Sequence, residues 1–152
     1  MTAAVTLPLA IKAIHIMAAF AAFGLPFAYP ALIPYVRRHH PGALAAVHDT
    51  QHRFSVWLTG PGTVTLFAAG VYLATKDDQW DQPYVQAGLT AIVIIALAGG
   101  LITRDTAQLA TLARAGDPGD AEYDRVYRRY LLTESALGAL VLVVIFLMTV
   151  KP

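Results

Sequence analysis

The sequence predicts an all-α integral membrane protein, a four-helix transmembrane up-down bundle with both termini on the outer side of the bilayer. Three observations predict it: four apolar blocks of spanning length, basic residues gathered in alternate joints, and a composition outside the soluble range. Of the 152 residues, 57% are hydrophobic and 14% charged, and the mean hydropathy is +0.54. Soluble domains sit nearer ~45–50% apolar and ~25% charged. The length suits one domain, residues 1–152, and no period-2 alternation suggests a barrel.

A spanning helix needs ~20 mostly apolar residues to cross ~30 Å of hydrocarbon. In lipid the backbone must satisfy its own hydrogen bonds, which blocks of this length do as helices. The first block covers residues 7–35. Met1 to Leu9 carries no charged side chain, and the first cation, Lys12, falls inside the apolar run. A secretory signal opens with a basic region, so this segment reads as a retained span. Prolines recur at 26, 30 and 34. Each lacks an N–H, so the carbonyls of Ala22, Pro26 and Pro30 lose their helical donor. A kink at Phe23–Pro26 is expected, with a carbonyl-lined site as the alternative.

The second block, residues 54–75, holds Thr59-Gly60-Pro61-Gly62-Thr63 and, further on, Gly70. Small residues there permit a close helix contact or a break, and packing is the expected use. The third block, 84–103, continues as helix through 104–115 until Gly116 stops it. Asp117-Pro118-Gly119-Asp120 then turns the chain, and either aspartate suits the cap of the next helix. The fourth block is 130–150. Tyr123, Tyr127 and Tyr130 lead into it at helical spacing with arginines between them, which reads as an interfacial anchor before it reads as a docking surface.

The joints set the orientation. Arg37, Arg38 and Arg53 flank the first, and Arg104, Arg114, Arg125, Arg128 and Arg129 the third. The second offers Lys76 beside Asp77, Asp78 and Asp81, and the C-terminus Lys151. Cytoplasmic loops collect Lys and Arg, so joints one and three are expected inside and the acidic joint outside, in the cell (inner) membrane. Trp80 and Tyr84 then flank the outer boundary, and Trp57, Tyr127 and Tyr130 the inner one.

Several side chains are candidates for chemistry. Cysteine is absent, which excludes disulfides, thiolate nucleophiles and Cys-ligated metal or haem. His15 lies ~12 Å into the first span at 1.5 Å per residue, and Lys12 shares its face. Ionisable groups at such depth are costly and usually face the bundle. His15 is therefore a candidate haem ligand or proton-handling group, or else a histidine bonded to a neighbouring helix. Glu134 is the one acidic residue of the fourth span, and Arg53 or Arg104 is its expected ion-pair partner, proton transfer being the other reading. His48 and His52 stand at i, i+4 in a joint that also holds His39, His40 and Asp49, a spacing suited to a transition metal. There is no phosphate-cradling glycine loop, no Ser-His-Asp arrangement and no nucleic-acid signature.

Ile11-Lys12-Ala13-Ile14-His15-Ile16, the proline-bearing end of the first span, Arg53-Phe54 with Pro61 and Gly70-Val71-Tyr72-Leu73, and Arg128-Arg129 before Glu134 form a recurring pattern. It resembles the HemJ-type protoporphyrinogen oxidase family. The whole chain is more closely similar to an uncharacterised family of predicted four-helix bacterial membrane proteins, whose Phe-x-Met-x-x-Lys-Pro-like end is matched by Phe146-Leu147-Met148-Thr149-Val150-Lys151-Pro152. The resemblance implies a haem- or redox-linked role with His15 as ligand. The lysine and histidine that the HemJ type carries in its third span have no counterpart in residues 84–103, so the carry-over reaches His15 and Glu134. A second haem ligand would come from Lys12, from water or from another subunit.

Three functions follow as expectations. The first is a haem- or redox-linked membrane protein, an accessory subunit of a larger membrane complex. The second is transport of a metal ion or small solute through the bundle. The third is a structural subunit whose partners are lipid and another membrane protein, or further copies of itself.

Overall fold

The computed structural model describes residues 6–116 and 120–151, and among them helix is the only regular secondary structure. Four helical segments, Leu7–His39, Pro41–Lys76, Pro83–Ala115 and Ala121–Val150, are long and apolar enough to cross a membrane. The expected all-α architecture with four spans is therefore present. The prolines decide how the first two segments are subdivided. Helix α1, Leu7–Phe23, takes Pro8 in its first turn, where a missing N–H costs nothing. It stops short of Pro26; a 3₁₀ turn, Pro26–Ala28, hands over to α2, Tyr29–His39. The expected kink is this handover.

A second 3₁₀ turn, Pro41–Ala43, leads into α3, Leu44–Phe54. A π turn, Ser55–Thr59, then passes the chain to α4, Gly60–Lys76. Pro61 thus falls in the first turn of α4, and the wider π spacing lets the backbone absorb it without a break. The histidine-bearing joint is therefore helical over most of its length. Helix α5, Pro83–Ala115, runs 33 residues and ends at Gly116, whose φ of 108° a side chain would rarely tolerate. At 1.5 Å per residue it is ~50 Å long, well beyond the hydrocarbon, and its basic end must project. Helix α6, Ala121–Val150, is capped by Asp120, whose carboxylate accepts the Glu122 N–H at 3.2 Å. Asp117, the other candidate cap, lies outside the described residues.

The spans alternate in direction. Along α1 and α4, Gly62 lies against Ala22 while Gly70 lies against His15. Along α5 and α6, Gly88 meets Met148 while Asp105 meets Arg129. Helix α3 packs on α5, with His52 donating from Nδ1 to the Thr103 carbonyl at 3.2 Å. At the basic end, Arg37–Asp124 (2.8 Å), Arg114–Asp49 and Arg129–Asp105 tie the segments. The last is the weightiest, because Asp105 is 1% exposed.

Two expectations about interfacial aromatics are corrected, one at each end. Tyr127 and Tyr130 are buried with Tyr123, Ile33, Leu44 and Leu109 in a packed cluster, so they do not anchor in an interface. Helices α2, α3 and α5 cover the first turns of α6, which gives its aromatic face a protein partner. At the acidic end Tyr84 is also buried, its hydroxyl donating to Gln79 Oε1 at 3.0 Å. Trp57 and Trp80 are exposed, as expected of interfacial aromatics.

A Cβ on Gly62 would lie 3.2 Å from the Ala22 backbone nitrogen and 3.4 Å from the Ala18 carbonyl oxygen. Backbone cannot yield as a side-chain tip can, so Gly62→Leu should prise α1 from α4 and cost about 1–3 kcal/mol in thermal unfolding in detergent. Arg129→Ala strands a buried carboxylate and should lower the unfolding temperature more than Arg129→Ala combined with Asp105→Asn does. A double variant no more stable than the single one would contradict this.

Candidate functional site: a cleft between two helical hairpins

Toward the acidic end the four spans sort into two antiparallel pairs, α1 with α4 and α5 with α6, and contact across the pairs is sparse. The cause is local. Below the π turn, α3 belongs to the side of α5; above it, α4 is held by α1 through Gly62 and Gly70. The separation leaves a cleft of about 620 Å³. Phe23, Phe27, Phe54, Ile95, Leu137 and Val141 stand in its apolar wall, and Gly99 and Gly100 leave open space on α5. Phe27, Val64 and Leu142 line the cleft and are also among the exposed large side chains. The cleft therefore opens sideways, toward what would be lipid. Phe27 is itself held in place by contact with Gly138 of α6.

The end of the cleft nearest the basic joints is polar. Tyr29, Gln51, Thr106, Tyr130 and Glu134 line it there. Behind them runs a buried hydrogen-bonded chain with one consistent direction. The Gln51 amide nitrogen donates to the Tyr130 oxygen at 3.0 Å, so Gln51 Oε1 must be the acceptor from His48 Nδ1–H at 2.7 Å. His48 Nε2 then accepts from the Tyr123 hydroxyl at 2.8 Å. His48, Gln51, Tyr123 and Tyr130 are each 1% exposed or less, which makes a fully satisfied network a rigid support. With its oxygen accepting from Gln51, Tyr130 keeps its own proton free to donate. Glu134, one turn further along α6, stands close enough to the hydroxyls of Tyr29 and Tyr130 to interact electrostatically with both. The Tyr29 hydroxyl is buried without a hydrogen-bond partner.

The residues singled out from the sequence distribute unevenly about this cleft. Glu134 lines it and is 9% exposed. Its expected ion pair with Arg53 or Arg104 is not formed: both arginines are exposed on the outer faces of their helices, and Asp105 takes Arg129 instead. Among the described residues Glu134 has no ion-pair partner. His15 is outside the cleft, on the α1–α4 seam, donating from Nδ1 to the Leu66 carbonyl at 3.1 Å with its ring against Gly70. Lys12 is exposed. Neither a second histidine nor a cleft wall joins His15, so this chain's residues alone do not fit a haem clamped there. His48 has both ring nitrogens engaged and His52 turns Nδ1 to α5. As folded, the two do not present free nitrogens to one ion, and no group of three or more metal-ligating side chains occurs among the described residues.

Tyr29 and Gln51 escape the sequence reading, and Tyr130 reads there as an interfacial aromatic and not as a cleft residue. Tyr130 and Glu134 share a helical face at i, i+4, as do His48 and Gln51 at i, i+3; that spacing was the available signal. Tyr29, set between Pro26 and Pro30, gave none.

None of the curated proteins and none of the solved structures matches this chain. The family described as "Predicted integral membrane protein (DUF2269)" matches residues 9–152. That match takes in every residue of the cleft and all four spans but for the first two residues of the first, and the chain belongs to the DUF2269 family of predicted integral membrane proteins.

Proposed function

We propose that the protein binds a lipophilic small molecule, entering from the membrane, in the cleft between its two hairpins. The observation that carries this is the cleft itself: about 620 Å³, apolar along its walls, polar at one end and open at its side. Ligand sites are generally concave, mostly apolar and furnished with a few convergent polar groups, and this cleft has those attributes. Of the functions expected from the sequence, handling of a small solute agrees best with this geometry. The buried chain from Tyr123 to Tyr130 holds one donor at the polar end and needs no movement to do so, which favours a preformed site. A haem- or redox-linked role, or service as an accessory subunit, would centre on His15, which lies on the far seam. It would require a second ligand from a partner.

The orientation in this reading places the basic end at the cytoplasm and the acidic joint outside, in the inner membrane. The polar end of the cleft then lies in the cytoplasmic half of the bilayer. The cysteine-free chain makes this simple to test with a membrane-impermeant maleimide on intact cells. Asp81→Cys should label and Gly42→Cys should label only after permeabilisation; the opposite pattern would reverse the topology.

Binding is tested with N-phenyl-1-naphthylamine, a neutral apolar fluorophore, on protein in mild detergent. Saturable fluorescence enhancement is expected. Gly99 lines the cleft and an added Cβ meets nothing within 4 Å, so Gly99→Phe adds bulk at the wall and should weaken binding about tenfold or more, a change of 1.4 kcal/mol per decade. His15→Ala should leave it within about twofold, since His15 is elsewhere. Equal binding by wild type and Gly99→Phe would dismiss the cleft as the site.

A further inference from the structure

We propose that the cleft selects organic cations, with Glu134 as the residue that determines the selection. This rests on the reading of the cleft as a ligand site and names its ligand class. The argument begins with charge. A buried carboxylate is normally paired, because desolvation is expensive and a partner offsets it. This protein follows that rule at Asp105, 1% exposed and bonded to Arg129. It departs from it at Glu134, 9% exposed and without an ion-pair partner among the described residues. Arginines are plentiful nearby in sequence, yet Arg53 and Arg104 face outward. The cleft side of Glu134 is occupied by no protein cation.

The second observation is independent of charge. The Tyr29 hydroxyl is buried at the same end of the cleft with no hydrogen-bond partner. A buried polar atom left unpaired is uncommon and costly. A protonated amine satisfies both at once, donating N–H to the Glu134 carboxylate and to the Tyr29 oxygen. The remaining surroundings also suit a cation. Tyr29, Tyr130 and Phe23 supply π faces, which attract cations most strongly where water is excluded. Tyr130, its oxygen already accepting from Gln51, has its own proton left to donate at this end of the cleft. The apolar wall takes the hydrocarbon part. The ligand class is a lipophilic cation small enough for about 620 Å³: a protonated amine meets both polar groups, whereas a quaternary cation meets the carboxylate and the aromatic rings by charge alone. An anion of the same size and shape would meet Glu134 as a like charge.

The test uses two probes of matched shape and opposite charge, tetraphenylphosphonium and tetraphenylborate, each displacing N-phenyl-1-naphthylamine from the detergent-solubilised full chain. Tetraphenylphosphonium should displace the fluorophore from wild type about tenfold more effectively than from Glu134→Gln, whereas tetraphenylborate should gain or be unchanged in the variant. Glu134→Asp keeps the charge and should keep the cation preference. Retained fluorophore binding by Glu134→Gln shows that the variant is folded. If the fluorophore binds but tetraphenylphosphonium does not distinguish wild type from Glu134→Gln, the cation inference is overturned and the cleft remains a neutral-ligand site. If the fluorophore itself fails to bind wild type, the cleft reading falls and takes this inference with it.

Discussion

The second span cannot lie flush against both of its neighbours, and the rest of the architecture follows from how it divides itself between them. Below the π turn at Ser55–Thr59, α3 lies on α5 and is tied there by His52 and the Asp49–Arg114 pair. Above the turn, α4 lies on α1, drawn in by Gly62 and Gly70 where a side chain on either would meet Ala22 or His15. A regular helix would have had to choose one partner. The extra residue in the π turn rotates the helix face, and the two hairpins separate beyond it. The cleft is the space that this change of partner leaves open.

Polar groups in the membrane-spanning parts are held by a simple economy of pairing. His15 gives its Nδ1 proton to a backbone carbonyl, and the threonine hydroxyls Thr63, Thr75, Thr90, Thr103 and Thr149 return to carbonyls one turn back. These bonds let polar side chains lie in apolar surroundings at small cost. Asp105 has Arg129, and the His48–Gln51 pair is closed at both ends by tyrosines. Against that background three buried groups among the described residues lack such partners: the Tyr127 hydroxyl, which does not line the cleft, and the Tyr29 hydroxyl and the Glu134 carboxylate, which stand at the same end of it.

Much of the fold was legible because the bilayer reads sequence coarsely: ~20 apolar residues suffice to announce a span, and Gly116 and Asp120 marked helix ends by ordinary backbone preferences. Pro26 announced the handover between α1 and α2 for the same reason. The site was less legible because it depends on which face each helix presents. Glu134 was visible as an isolated acid, but its pairing was misjudged, since proximity in depth to Arg53 and Arg104 says nothing of their direction. Tyr123, Tyr127 and Tyr130 looked interfacial because nothing in the sequence reveals that α2 and α3 fold against the first turns of α6 and cover them. His48 and His52 looked like a metal pair because i, i+4 spacing is shared by ligands and by residues that merely face a common neighbour. Tyr123 and Gln51, which occupy the His48 nitrogens, are 75 and 3 residues away.

Gly99 and Gly100 bear on the width of the cleft. Neither is pressed by any neighbour, so neither is required for the helices to meet, and both border the cleft. A Cβ added there would meet nothing within 4 Å, so a small side chain would alter the space without touching the seams that hold α1 to α4 or α5 to α6. Close helix contact and the width of the cleft are thereby set by separate glycines, those at 62 and 70 for the first and those at 99 and 100 for the second.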